Sequence, residues 1–258
     1  MLSYQHIYHA GNLADVHKHA LLAAALDYMA AKPKPLTYIE THSGRALYDL
    51  SAAEALKTGE AAAGIARVEG WFGMDHPYAR ALDAARAEGG ADAYPGSPLV
   101  ARTLLRPDDR MVLAEMHPRE VAALRQALPW AEIHAADGPE LALSITPPEP
   151  RRGMLLVDPS YEVKTEFRTI TDLMAKVHRK WPVGVLMLWY PILTSGAERE
   201  LVRRLAGLGD GAVTSEVRFP PAREGHGMIG SGLWVVNAPW GWDKAAAELA
   251  AKFRTLGA

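Results

Sequence analysis

The chain reads as an α/β protein, with a mostly parallel seven-stranded sheet and helices on both faces. Three observations predict this. Short apolar runs alternate with amphipathic segments along most of the 258 residues, the pattern of successive βαβ units. One run, Met154 to Val157, is apolar without interruption, as expected of a strand buried on both faces of a parallel sheet. The last two strands are joined by residues 220–230, which carry no helical period. They therefore read as an antiparallel pair at one edge rather than another crossover.

The elements follow in order. Asn12 can cap a first helix, with Asp15 three residues on as a short variant of the capping box. Val16, Ala20, Ala23, Leu26 and Met29 are spaced for its buried face. Lys18 and His19, in its first turns, are placed to meet a carboxylate. His17 and His19 point about 200° apart around that helix, so they cannot share a metal ion. Strands are predicted over 36–41, 111–115, 132–135, 154–158, 183–188, 214–219 and 233–237, and helices over 118–128, 165–180 and 197–208. Residues 45–98 show no convincing strand and two alanine-rich helical stretches, 52–69 and 78–88. This predicts a helical insertion between the first and second strands of one domain spanning 1–258. Trp71, Phe72 and Tyr78 argue for a packed subdomain there instead of a linker.

The chemistry gathers where strands end. The first strand leads into Glu40-Thr41-His42-Ser43-Gly44, and Gly44 can make the tight turn that a nucleotide fold needs beneath its ligand. The Gly-x-Gly-x-x-Gly fingerprint is absent, which counts against NAD or FAD. The second strand ends in Glu115 and the third in Asp137-Gly138. Each acid alone is explained by a helix cap. Three successive strands ending in Glu115, Asp137 and Asp158 on one sheet edge are better explained by a nucleoside ligand held there by its ribose and base. Asp158-Pro159-Ser160-Tyr161 supplies a carboxylate, a backbone carbonyl and an aromatic ring, the parts needed to hold a planar amino-bearing base. The tetrapeptide resembles the Asp-Pro-Pro-Tyr motif of amino-methyltransferases, with Ser160 in place of the second proline.

A longer resemblance runs through the chain. Its landmarks are Tyr4-x-His6-x-x-His9-Ala10-Gly11-Asn12-x-Ala14-Asp15-Val16-x-Lys18-His19, Tyr94-Pro95-Gly96-Ser97-Pro98, Glu115-x-His117-Pro118, Ala136-Asp137-Gly138, Asp158-Pro159-x-Tyr161-Glu162, Trp189-Tyr190-Pro191, Ser231-Gly232 and Asn237-x-Pro239-Trp240. Together they resemble the bacterial 23S ribosomal RNA adenine-N6 methyltransferase family, and the strand pattern matches the class I methyltransferase (Rossmann-like) layout. The resemblance implies S-adenosylmethionine as cofactor and 23S ribosomal RNA as partner. It implies that His19, His42, Ser97, Glu115, Asp137, Gly138 and Asp158 contact the cofactor or lie beside it, with Lys18 as a neighbour. Asp158 would be the catalytic acceptor, assisted by Pro159 and Tyr161, while Tyr4, with His6, would touch the target nucleotide. Ser160 gains an N–H and looser φ, which bears on target positioning more than on reaction type.

Composition bounds the alternatives. A chain that is 49% hydrophobic and 22% charged is ordinary for a globular protein of this length. No apolar run has transmembrane length and no signal peptide is visible. With no cysteine there is no disulfide, thiolate metal site or cysteine nucleophile, which fits a reducing cytoplasm. No other metal-ligand spacing is found, and a monomer is expected. A net charge of −2 gives no global attraction to nucleic acid, so RNA must be met locally. Lys164 and Arg168, one turn apart beside the Asp158 motif, are the candidates for phosphate. A DNA adenine methyltransferase would share every site named, and some relatives carry a label for use of external DNA.

Overall fold

A computed structural model of the chain describes residues 4–163, 165–209, 211–222 and 225–257. In chain order the elements are α1 (Leu13–Ala30), β1 (Thr37–Glu40), β2 (Leu47–Asp49), α2 (Ala53–Thr58), α3 (Glu60–Ala63), α4 (Ile65–Val68), α5 (Pro77–Gly89), β3 (Ala93–Pro95), α6 (Ser97–Leu104), β4 (Arg110–Ala114), α7 (Pro118–Ala127), β5 (Glu132–His134), α8 (Gly138–Ile145), β6 (Gly153–Val157), α9 (Glu166–Lys180), β7 (Val185–Leu193), α10 (Arg199–Leu205), β8 (Val213–Arg218), β9 (Met228–Val236) and α11 (Trp242–Phe253). The seven-stranded sheet runs β5-β4-β1-β6-β7-β9-β8. All neighbours from β5 to β7 are parallel, and β9 is antiparallel to both β7 and β8. This is the α/β layout of class I methyltransferases, as expected from the sequence.

Alternation along each strand builds two cores. Tyr38, Met154, Leu156 and Met187 face α1, α6 and α11, whereas Ile39, Leu155, Val157 and Leu188 face α8, α9 and α10. The order reverses between β1 and β6. In an open α/β sheet that switch point leaves a crevice beyond the strands' carboxyl ends.

Several expectations from sequence need correction. The segment 45–98 is not free of strand, because β2 and β3 pair antiparallel through Leu47↔Pro95, Tyr48↔Tyr94 and Asp49↔Ala93. Three-residue strands are too short to show a period. The helical stretch over 52–69 is three short helices, broken at Gly59, whose φ is +66°, and at Gly64. A Cβ at Gly64 would lie 2.1 Å from the Gly11 carbonyl oxygen, so the break is where this segment docks on the N-terminal loop. The strand expected over 183–188 continues through Pro191 to Leu193, and the one expected over 233–237 begins at Met228. β6 stops at Val157, opposite Leu188, so Pro191 is asked for no donor on that side.

Candidate active site

A cavity of about 880 Å³ opens at the switch point, between the carboxyl ends of β1, β4, β5 and β6 and the start of α1. Tyr4, His6, Lys18, His19, His42, Ser97, Glu115, Asp137, Gly138, Asp158, Pro159 and Tyr161 all line it. Residues chosen from six separate stretches of sequence thus converge on one space. Lys164 lies outside the described residues, and Arg168 is exposed on the first turn of α9.

On the strand side, backbone groups hold the acids. Glu115 accepts the Gly44 N–H at 2.8 Å and the His117 N–H at 2.7 Å. Asp137 caps α8, accepting the Glu140 N–H at 2.8 Å through one oxygen and leaving the other for a ligand. Gly138 follows because nothing larger fits: a Cβ there would meet the Thr41 carbonyl oxygen at 1.8 Å. Below this rim Glu40 is fully buried and accepts the hydroxyls of Ser97 and Tyr38. Burial pushes its carboxyl up to about 8, against the lowering effect of those two hydroxyls. His42, bonded to Thr41 Oγ1 at 2.7 Å, is pushed down to about 4 by burial. His19 is pushed down to about 3 in the same way, and meets the Tyr94 hydroxyl at 3.0 Å. Both imidazoles are neutral near pH 7. Among the described residues, Ser43 Oγ, His117 Nδ1 and Glu166 Oε2 are buried without a hydrogen-bond partner, in side chains that line the cavity. An unsatisfied buried polar atom is uncommon, and three of them lie in residues around this one space.

On the N-terminal side, side chains hold one another. Asp15, 2% exposed, accepts from His6 Nε2 at 2.9 Å, from Lys18 Nζ at 3.0 Å and from the Gly11 N–H at 3.0 Å. Its own N–H donates to Asn12 Oδ1 at 2.8 Å, which makes Asn12 the cap of α1. The capping box is therefore a variant, with Asp15 reaching back to Gly11 rather than to Asn12. Burial works against the Asp15 charge, but His6 and Lys18 outweigh it and hold the carboxyl well below the usual range. Lys18 also pairs with Asp158, whose side chain is 12% exposed. Burial disfavours the Lys18 ammonium, and Asp158 and Asp15 more than restore it. A continuous path results: the Tyr4 hydroxyl meets His6 Nδ1 at 2.8 Å, His6 bonds Asp15, Asp15 bonds Lys18, and Lys18 bonds Asp158. Nε2 of His6 thus faces the Asp15 carboxylate while Nδ1 faces the Tyr4 hydroxyl.

The segment between β1 and β4 buttresses this side. Glu60, buried, accepts His9 Nδ1 at 3.0 Å and Asn12 Nδ2 at 3.0 Å. Tyr4 stacks on His9, with ring centroids 5.7 Å apart and planes 12° apart. Tyr161 sits at φ +55°, a left-handed conformation that is costly for a bulky residue. Two contacts hold it there, a hydroxyl bond to the Trp189 carbonyl at 2.8 Å and stacking on Phe167 at 4.5 Å. One ring face is therefore covered, and at most the other can serve a base. Trp189 is anchored in turn: its Nε1 donates to Ser231 Oγ, which meets His17 Nδ1, both at 2.9 Å. His17 is a core histidine, also bonded to Ser215 Oγ at 3.0 Å.

The sequence did not reveal Ser43, His117, Glu40, Glu60 or Trp189 as parts of the site. Ser43 and His117 adjoin Gly44 and Glu115, and that adjacency was the available signal. No local signal marked Glu60. Among the described residues no cluster of potential ligands is arranged to hold a metal ion, and no helix is long and apolar enough to cross a membrane.

The family described as ribosomal RNA large subunit methyltransferase D, RlmJ, matches residues 33–255. The chain belongs to this family. The ribosomal RNA large subunit methyltransferase J of Escherichia coli (strain K12) is 36% identical over 249 residues, covering 93% of this chain and 88% of its own length. That of Haemophilus influenzae is 33% identical over 257 residues, covering 96% and 92%. A crystal structure of a Legionella pneumophila protein, 31% identical, superposes with a TM-score of 0.86 over 96% of this chain and 94% of that one.

Proposed function

We propose that this protein transfers the methyl group of S-adenosylmethionine to N6 of an adenine in 23S ribosomal RNA. The observation that carries the reading is the meeting of Asp158-Pro159-Ser160-Tyr161 with the N-terminal network at one rim of a ligand-sized cavity, in a member of an RNA methyltransferase family. The cavity lies within the range of about 300–1,000 Å³ usual for small-molecule sites. The free oxygen of Asp137 and the orphaned Ser43 and His117 atoms suit a polar nucleoside. The bound cofactor would supply an electrophilic sulfonium methyl, held by His19, His42, Ser97, Glu115, Asp137 and Gly138.

The protein's own groups position the acceptor. Asp158 accepts one proton of the adenine amine and the Pro159 carbonyl accepts the other, which turns the nitrogen lone pair out of conjugation. The amine is a poor base and its proton becomes acidic only as the new bond forms, so alignment supplies much of the rate. Tyr161 offers its uncovered face to the base, and Tyr4 closes the target end. A base taken from a duplex must be unstacked at a cost of a few kcal/mol. Lys18 donates to Asp158 and fixes the direction of its carboxylate. The same proposal places the reaction in the cytoplasm, with a monomer and no metal ion.

The test is to map N6-methyladenine in 23S ribosomal RNA from strains with and without the protein. One adenine should lose its mark in the deletion strain and regain it on incubation with protein and S-adenosylmethionine. DNA from that strain should accept no methyl groups. Methylation of the DNA and not the RNA would transfer the same chemistry to the other polymer.

A further inference from the structure

We propose that a recess beside the cavity is a phosphate subsite for the nucleotide next to the target base, with Arg67 and His226 as its ligands. This deepens the function proposed above and rests on it. The recess, about 80 Å³, lies between Ala63 and Arg67 on one wall and Phe219, Pro220 and His226 on the other. It shares Asn12, His226 and Met228 with the main cavity, so the two spaces are neighbours. Its volume is well below the range of about 300–1,000 Å³ usual for whole small-molecule sites, which suits a single phosphate group.

A base delivered from a polymer brings its flanking phosphodiesters to the pocket rim, and these need a path out. Arg67 is exposed and, among the described residues, its side chain makes no ion pair or hydrogen bond. That sets it apart from Arg45, Arg80, Arg86 and Arg102, each of which is paired with a carboxylate. His226 Nδ1 is buried without a hydrogen-bond partner. Two nitrogen-bearing side chains thus line one small space, and among the described residues neither the Arg67 guanidinium nor His226 Nδ1 has a hydrogen-bond partner. Glu60 also lines the recess and opposes an anion. Its oxygens are engaged by His9 and Asn12, and it also attracts His226, so its charge is partly balanced locally. Apolar walls from Phe219 and Met228 limit water and strengthen a charged contact. The recess also adjoins the target end of the cavity, because Tyr4 stacks on the same His9 that Glu60 holds.

The experiment compares the full chain with Arg67→Ala, Arg67→Lys and Arg67→Glu on protein-free 23S ribosomal RNA, while calorimetry follows S-adenosylmethionine binding. Arg67→Ala should raise KM for RNA about five- to tenfold, with kcat and cofactor affinity little changed. The slope of log kcat/KM against log salt should shrink by about 0.7 to 1, the loss of one phosphate contact. Arg67→Lys should recover most of the loss and Arg67→Glu should deepen it. An exposed, unpaired side chain leaves the fold intact when removed, which matched melting curves would verify. If Arg67→Ala and Arg67→Glu both keep the wild-type KM and salt slope, the subsite is wrong while the methyltransferase reading stands. If the wild type neither binds S-adenosylmethionine nor methylates RNA, both fall.

Discussion

On the strand side of the cavity Glu115 and Asp137 are held by backbone N–H groups, whereas on the N-terminal side Asp15 is held mainly by His6 and Lys18. The first arrangement is a property of the sheet and survives changes to neighbouring side chains. The second is a closed set of charges in which each member satisfies another, so removing one leaves a buried group uncompensated. Asp158 belongs to both, as the last carboxylate of the strand edge and the terminus of the side-chain path.

The largest effect should come where the two sides meet. Asp158→Ala should lower methyl transfer at least about a thousandfold, within the range seen for loss of a positioned proton acceptor, with circular dichroism unchanged. Transfer to RNA at near the wild-type rate would sink the mechanism. Next, two buried carboxylates should show opposite pH signs. The Asp15 carboxyl is held low in the folded state, so the stability it contributes is complete above about pH 4 and drains away as pH falls. Asp15→Asn should cost about 3 kcal/mol at neutral pH and flatten the acid limb of urea denaturation. The Glu40 carboxyl is raised to about 8, so the folded state holds a proton that the unfolded chain releases near pH 4.3. Wild-type stability should therefore fall as pH rises from about 4.3 to about 8, and Glu40→Gln should remove that slope. A variant with the wild-type slope would mean that Glu40 is ionised in place.

Gly138→Ala should follow, at about 1–3 kcal/mol of stability, because the β1 loop and the start of α8 must part to admit a methyl group. Calorimetry should show weaker S-adenosylmethionine binding at least in proportion. The smallest change is expected from Ser160→Pro, which leaves the Pro159 carbonyl in place. Single-turnover rates should stay within about threefold, a shift of about 0.7 kcal/mol in the barrier.

The strand side was largely legible in the sequence. Glu115 and Asp158 each close an apolar run, and the end of a run fixes its place at the sheet edge. Asp15 could be read only as a cap residue, since nothing local says that His6 and Lys18 converge on it. Glu60 lies in an alanine-rich stretch whose break at Gly64 is dictated by docking on Gly11, a contact between distant positions. β2 and β3 escaped notice for a related reason, because three residues carry too little pattern to signal a strand. The Ser43 and His117 orphans are visible only in three dimensions, since a missing partner is a property of the surroundings.

One consequence concerns α1. Its eighteen residues span about 27 Å. They carry Lys18 and His19 into the cavity while His17, Leu21, Leu22 and Leu26 are sealed in the interior. The stretch that matches the family begins only at residue 33. A protein trimmed to that boundary would lose more than an appendage. It would lack the central beam of one layer, leaving a greasy trench along the sheet and an aspartate stripped of its counter-ion. Catalytic wiring and architectural support reside here in a single rod, and neither can be pared away to economise on the other.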